Sequence, residues 1–170
     1  MSASSMRSGM SRPMPDGSRG RFVGPGEGEH VRSPIGGDMT FVARGDQTNG
    51  SLLVVDIAVP PGEGPPLHVH TREEETIYVL EGDLRIKLGD ELRATPAGSF
   101  VFIPRGVAHT FQNVGKQPGR MLVTFAPAGM EAFFDRLAKL TAFDPDEFRR
   151  AGAEVGTDTV GPPLAESGPP

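Results

Sequence analysis

Two stretches decide the reading: Gly62–Gly82, GEGPPLHVHTREEETIYVLEG, and Gly98–Asn113, GSFVFIPRGVAHTFQN. Side chains alternate across an extended strand, so His68 and His70, two residues apart, can present both imidazoles to a single point. Glu75 follows the polar bend TREE and opens the β-rich run ETIYVLEG, which returns its carboxylate to that point from a neighbouring strand. His109 comes shortly after the PRG turn, at the head of the strand-like run AHTFQN. These stretches hold three of the four histidines. The fourth, His30, lies in a polar Gly/Glu context and reads as a solvated side chain. Taken singly, the histidine pair also reads as two half-exposed polar residues and Glu75 as one of a solvated acidic run. Glu73 and Glu74 keep that solvated reading, with Glu74 the substitute ligand if the bend is one residue shorter.

Together the stretches resemble the two motifs of the cupin superfamily. Gly62, His68, His70, Glu75 and Gly82 fill the first, G-x5-H-x-H-x4-E-x6-G; Gly98, Pro104, Gly106, His109 and Asn113 fill the second, G-x5-P-x-G-x2-H-x3-N. The resemblance covers about Met39 to Pro127 and implies an all-β jelly-roll barrel, the double-stranded β-helix. It also implies His68, His70, Glu75 and His109 as ligands of one divalent transition metal. Around PPLHVHTREEETIYVLEG the likeness is to small single-domain cupins of the quercetin dioxygenase-like kind.

Outward from the motifs, MTFVARG and SLLVVDIAVP flank the turn-forming DQTNG and predict an antiparallel pair. Leu53, Val55, Ile57 and Val59 share one face of the second run; Leu84, Ile86 and Leu88 share one face of LRIKLG. The short EGD turn around Gly82 predicts a hairpin, and turn signals divide the whole into about nine short strands. Past Gly129 the apolar period lengthens: Met130, Phe133, Phe134, Leu137 and Leu140 form one helical stripe that closes the barrel's open side. Asp144, Pro145 and Glu147 mark the start of a second short helix ending near Arg150. The expected organisation is a disordered tail over 1–20, an arm over 21–38, a barrel over 39–128, helices over 129–151 and a flexible tail over 152–170.

At 170 residues the chain suits one domain with a real core. A formal charge of -5, without a run of Lys or Arg, points away from nucleic acid and from a polybasic membrane patch. No apolar leader or spanning segment is evident, so a cytoplasmic protein is expected. With no cysteine, a transition metal must use nitrogen and oxygen ligands.

Three imidazoles and a carboxylate suit iron, nickel, manganese, copper or zinc, and leave open positions if the metal is octahedral. Such a metal polarises a substrate oxygen, activates water or, if redox-active, supports dioxygen chemistry. Glu75, if it loosens from the metal, doubles as general base. Parity with the ligands marks Ile77, Val79 and Phe111 as pocket candidates, although each also reads as core. The first reading is an oxygenase acting on an apolar or aromatic, enol-bearing small molecule. The alternatives are a non-oxidative isomerase, lyase or polyketide-type cyclase, and a non-catalytic ligand-binding protein. A homodimer is expected.

Overall fold

The computed structural model describes residues 20–33 and 37–166. The described residues form eleven strands: β1 (Glu29–Ser33), β2 (Gly37–Ala43), β3 (Leu53–Val59), β4 (Pro66–His70), β5 (Glu74–Glu81), β6 (Asp83–Leu88), β7 (Glu91–Pro96), β8 (Phe100–Ile103), β9 (His109–Asn113), β10 (Gly119–Ala126) and β11 (Thr157–Pro163). They build two antiparallel sheets, ordered β1-β2-β3-β10-β5-β8 and β11-β4-β9-β6-β7. This is the expected jelly roll. As expected too, β2 pairs with β3 across the DQTNG turn, with Met39 opposite Ile57 and Phe41 opposite Val55.

Alternation decides what lies between the sheets. On β5, Glu75, Ile77 and Val79 are buried while Tyr78 between them is exposed; on β10, Met121, Val123 and Phe125 face inward. Leu53, Val55 and Val59 of β3 and Leu84 and Ile86 of β6 complete the core. Each such side chain contributes about 1.5–3 kcal/mol by leaving water.

Three expectations need correcting. The turn at Gly82 is not a hairpin, because β5 belongs to the first sheet and β6 to the second, and the chain crosses between them there. Gly82 has φ +87°, and a Cβ on it would lie 2.8 Å from the Gly119 Cα, so both backbone conformation and close approach require glycine. The expected arm over 21–38 contains β1, hydrogen-bonded to β2 as a sheet edge, with His30 Nδ1 2.9 Å from Thr40 Oγ1. The expected flexible tail from 152 onward instead carries the end of α2 and then β11, which pairs with β4 from Thr157↔His70 to Pro163↔Pro66. Local composition hid it: TDTVGPP has a strand's reach but neither alternation nor apolar bulk, and only β4 gives it a partner. The tail expected over 1–20 lies outside the described residues except for Gly20, as do residues 167–170.

Helix α1 (Glu131–Leu137) follows the predicted stripe, burying Met130, Phe133 and Leu137. Helix α2 (Pro145–Val155) starts as read, with the Asp144 carboxylate accepting from the Asp146 and Glu147 amides, and runs past Arg150 to Val155. Phe133 packs edge-on to Phe148 with ring centroids 5.1 Å apart, and Phe134 reaches Phe41 and Phe125 at 6.0 and 5.9 Å. Arg44 ties this layer to the sheet, bonding Glu29 of β1 and Asp135 of α1 while its guanidinium stacks 3.9 Å from the Phe41 ring centroid. No helix among the described residues is long and apolar enough to cross a membrane.

Candidate metal centre

Strand parity places His68 and His70 on the inner face of β4, and β4 meets β9 at His68↔His109, so one sheet supplies three imidazoles. After the bend at 71–73 the chain enters the opposite sheet, and Glu75 on β5 faces the rings across the barrel. The His68 ring centroid lies 4.9 Å from that of His70 and 4.3 Å from that of His109. One ligand atom from each of the four residues lies within 4.8 Å of all the others. Small side-chain adjustments bring them to a common ion at the usual distance of about 2.1 Å. All four are buried, between 1% and 8% exposed.

The outer ring nitrogens are already engaged. His68 Nδ1 donates to the Pro66 carbonyl at 2.8 Å, His109 Nδ1 to the Val107 carbonyl at 2.9 Å, and His70 Nδ1 lies 2.9 Å from Thr157 Oγ1. A carbonyl can only accept, which fixes the proton of His68 and His109 on Nδ1 and turns Nε2 inward. His70 Nε2 is a buried polar atom without a well-formed hydrogen bond, although Glu75 Oε2 stands 3.1 Å away; His109 Nε2 reaches the same oxygen at 2.9 Å. Inward-facing imidazole nitrogens, one of them without a proper protein partner, beside a carboxylate suit a divalent transition metal.

The charges are set by the same contacts. Burial pushes the His68 pKa down to about 3, and the neighbouring His109 and His70 add to the effect, so this ring is neutral. Burial alone would raise Glu75, but the hydrogen bond from His109, with the His70 ring close by, overcomes it and holds the carboxyl well below the usual range. For His109, burial works against the cation, yet the bond to Glu75 prevails and raises its pKa. In the metal-free centre the proton therefore sits on the imidazole–carboxylate pair.

Two acidic neighbours behave differently. Glu74 points to the opposite face, its carboxylate 3.9 Å from Arg105, and lies outside the cluster. Glu73 departs from its solvated reading: it is only 2% exposed, Oε2 lacks a partner among the described residues, and burial raises its pKa. The bend that carries it tucks under the loop before α1, where a Cβ on Gly129 would come within 3.2 Å of Oε1.

Beside the ligands lies a cavity of about 100 Å³. Of the three pocket candidates Phe111 lines it, whereas Ile77 and Val79, sharing the Glu75 face, are wholly enclosed in the core behind it. The wall that sequence reasoning missed comes from Met121 and Phe125 of β10, from Met130 and Phe134 around α1, and from Phe148 of α2. The stripe on α1 was visible as apolar, but its aim into a cavity depends on how the helix crosses the barrel mouth. No Lys or Arg among the described residues lines it.

Residues 55–125 match the family model described as Cupin domain. Over 127 residues the chain is 29% identical to quercetin 2,3-dioxygenase of Bacillus subtilis (strain 168), covering 73% of this chain and 36% of that protein. It is 37% identical over 67 residues to polyketide synthase CurC of Streptomyces cyaneus, covering 39% of this chain and 44% of that protein. A solved structure from Thermotoga maritima, described as a predicted oxalate decarboxylase, matches with a TM-score of 0.53 at 22% identity over 58% of this chain and 90% of that one, a likeness of fold. The chain spans well under two thirds of the length of both curated relatives.

Proposed function

We propose that this chain, whose residues 55–125 match the cupin family model, is a metal-dependent oxygenase acting on an apolar, aromatic or enol-bearing small molecule. His68, His70, His109 and Glu75 hold one divalent transition metal. The observation that carries the reading is the cavity: it abuts the ligands, its walls are mostly apolar with phenylalanine and methionine prominent, and no described lysine or arginine lines it to pair with a dicarboxylate or a phosphate. Quercetin, named as the substrate of the Bacillus subtilis relative, belongs to the class such walls would accept.

When bound, the metal draws electron density from a coordinated substrate oxygen and, if redox-active, opens a route to reaction with dioxygen. The protein supplies the rest. Phe111 and Phe125 flank the aromatic body, and the α1–α2 layer keeps bulk water from the reacting oxygen. Glu75 accepts the substrate hydroxyl proton once one of its oxygens is free, so that the substrate binds as its anion.

The test is oxygen uptake with a flavonol by protein whose metal content has been determined, beside Glu75→Gln. Flavonol-dependent uptake that falls at least about 100-fold in a metal-loaded Glu75→Gln variant supports both parts. Full turnover by that variant removes the base role. A second reading, a non-oxidative cyclase, isomerase or lyase, is favoured by the likeness to a polyketide synthase protein and uses the same cavity. Substrate conversion without oxygen uptake under anaerobic conditions selects it. Binding without conversion leaves a ligand-binding protein.

The reading includes a cytoplasmic homodimer. Its support is an apolar patch on the outer face of the first sheet, where Tyr78 lies opposite Phe100 and Thr76 opposite Phe102 on the edge strand β8. Tyr78, Phe100 and Phe102 are 45%, 62% and 48% exposed, more aromatic surface in one place than a lone subunit usually shows.

A further inference from the structure

The three imidazoles are not held in equivalent ways. Pro66 and Val107 orient His68 and His109 through main-chain carbonyls two residues earlier, contacts that no side-chain replacement deletes. His70 depends on a side chain, and that side chain lies 87 residues later, beyond the segment that matches the cupin model. A hydroxyl both donates and accepts, so Thr157 by itself leaves the His70 tautomer open. A second contact closes the choice: Thr157 Oγ1 donates to Met130 Sδ at 3.4 Å, which leaves its lone pairs to accept the His70 Nδ1 proton. The His70 Nε2 lone pair is then bare and faces the other ligands, in keeping with its lack of a well-formed protein partner.

The backbone holds this hydroxyl in place. Thr157 is 3% exposed and sits opposite His70 in the β11–β4 register. Gly156, at φ +84°, ends α2 and turns the chain into β11, while its carbonyl accepts from the Thr71 amide and hydroxyl, both at 2.8 Å. On the other side a Cβ at Gly152 would stand 2.7 Å from the Thr157 carbonyl oxygen, so α2 and β11 touch with no room to slide.

We propose that Thr157 is a positioning residue for the metal centre: with Met130 it sets His70 as the Nδ1–H tautomer and aims Nε2, so that the segment following the barrel governs metal affinity. The proposal rests on the metal reading above for its affinity part only; the tautomer is a property of the metal-free protein. Loss of the hydroxyl leaves a buried Nδ1–H without an acceptor, and the ring relieves this by moving its proton to Nε2, the nitrogen the metal needs.

The experiment compares wild type, Thr157→Val, Thr157→Ser and Met130→Leu as full chains. Histidine 15N NMR of the metal-free proteins reads each tautomer, and competition with a chelator reads the affinity for added zinc and iron(II). Thr157→Val should shift His70 toward Nε2–H, leave His68 as Nδ1–H and the His109 signals unchanged, and weaken zinc binding about 10- to 100-fold. Thr157→Ser should behave as wild type, and Met130→Leu should give a mixed His70 tautomer with a smaller loss. A His70 already Nε2–H in wild type, or unchanged tautomer and affinity in both Thr157→Val and Met130→Leu, overturns the proposal. Should Thr157→Val fail to fold, Met130→Leu against Thr157→Ser decides it. A wild type that takes up no metal sinks the metal reading instead, and the NMR comparison still decides what Thr157 does.

Discussion

Loading the centre with metal should expel one proton, and the pH dependence of affinity should reveal which group loses it. His70 and His109 both approach the same Glu75 oxygen, at 3.1 and 2.9 Å, with their ring centroids 5.1 Å apart, and only the His109 contact is a well-formed hydrogen bond. The raised pKa of His109 identifies the holder. His68, pushed down to about 3, has no proton to give at ordinary pH, and Glu75 stays ionised. Metal must displace the His109 proton at any pH below that raised pKa. Affinity should therefore fall tenfold, about 1.4 kcal/mol, for each pH unit of acidification in that range, and become flat above it. Calorimetry of zinc binding in two buffers of different ionisation heat, at about pH 6 and again at about pH 9, counts the protons directly. Release of one proton at the lower pH, and of no more than that at the higher, is the expected outcome. No release at about pH 6, or release of two, would refute the shared-proton description of the metal-free centre.

Asn113→Ala should cost about 2–4 kcal/mol in chemical denaturation, since Asn113 is fully buried, its amide donates to the Val59 and Gln117 carbonyls at 2.8 Å, and its oxygen accepts from the Gly115 amide. Phe133→Ala should cost about 3–5 kcal/mol, because the ring, 6% exposed, packs against Phe134 and Phe148; an undiminished melting temperature would mean the α1–α2 layer is loosely held. Phe100→Lys puts a charge on the exposed aromatic patch and should turn a dimer into a folded monomer in sedimentation velocity; a wild type that sediments as a monomer removes the dimer from the account.

What was legible in the sequence is what alternation and spacing can encode. Parity on β4 placed His68 and His70 together, and parity on β5 put Glu75, Ile77 and Val79 on one inward face. Parity does not report depth along a strand, so it could not separate Glu75, beside the cavity, from Ile77 and Val79, sealed behind it. Nor does a turn announce whether the chain doubles back in one sheet or crosses to the other: EGD has the composition of a hairpin, and only the placement of β5 and β6 in different sheets shows that it is a crossing. Thr157 was invisible for a third reason. A threonine in TDTVGPP carries no pattern of its own, and its role arises from a strand pairing 87 residues away in sequence.

That division also separates reactivity from selectivity. All four ligands fall within residues 55–125, the part that matches the family model, and the cupin relatives carry activities as different as quercetin dioxygenation and polyketide synthesis. On the proposed reading, similarity over this part therefore does not choose the substrate. Much of the wall that can choose comes from outside that part: Met39 of β2, Met130, Phe133, Phe134 and Leu137 around α1, and Phe148 of α2. Methionine and phenylalanine adapt to a planar apolar guest but leave an anionic one without a partner, at a cost of several kcal/mol for each buried unpaired charge. The same segment bears Thr157, so the residues that select the guest and the residue that aims His70 are held by one layer, and a shift of α2 against the barrel would alter both together.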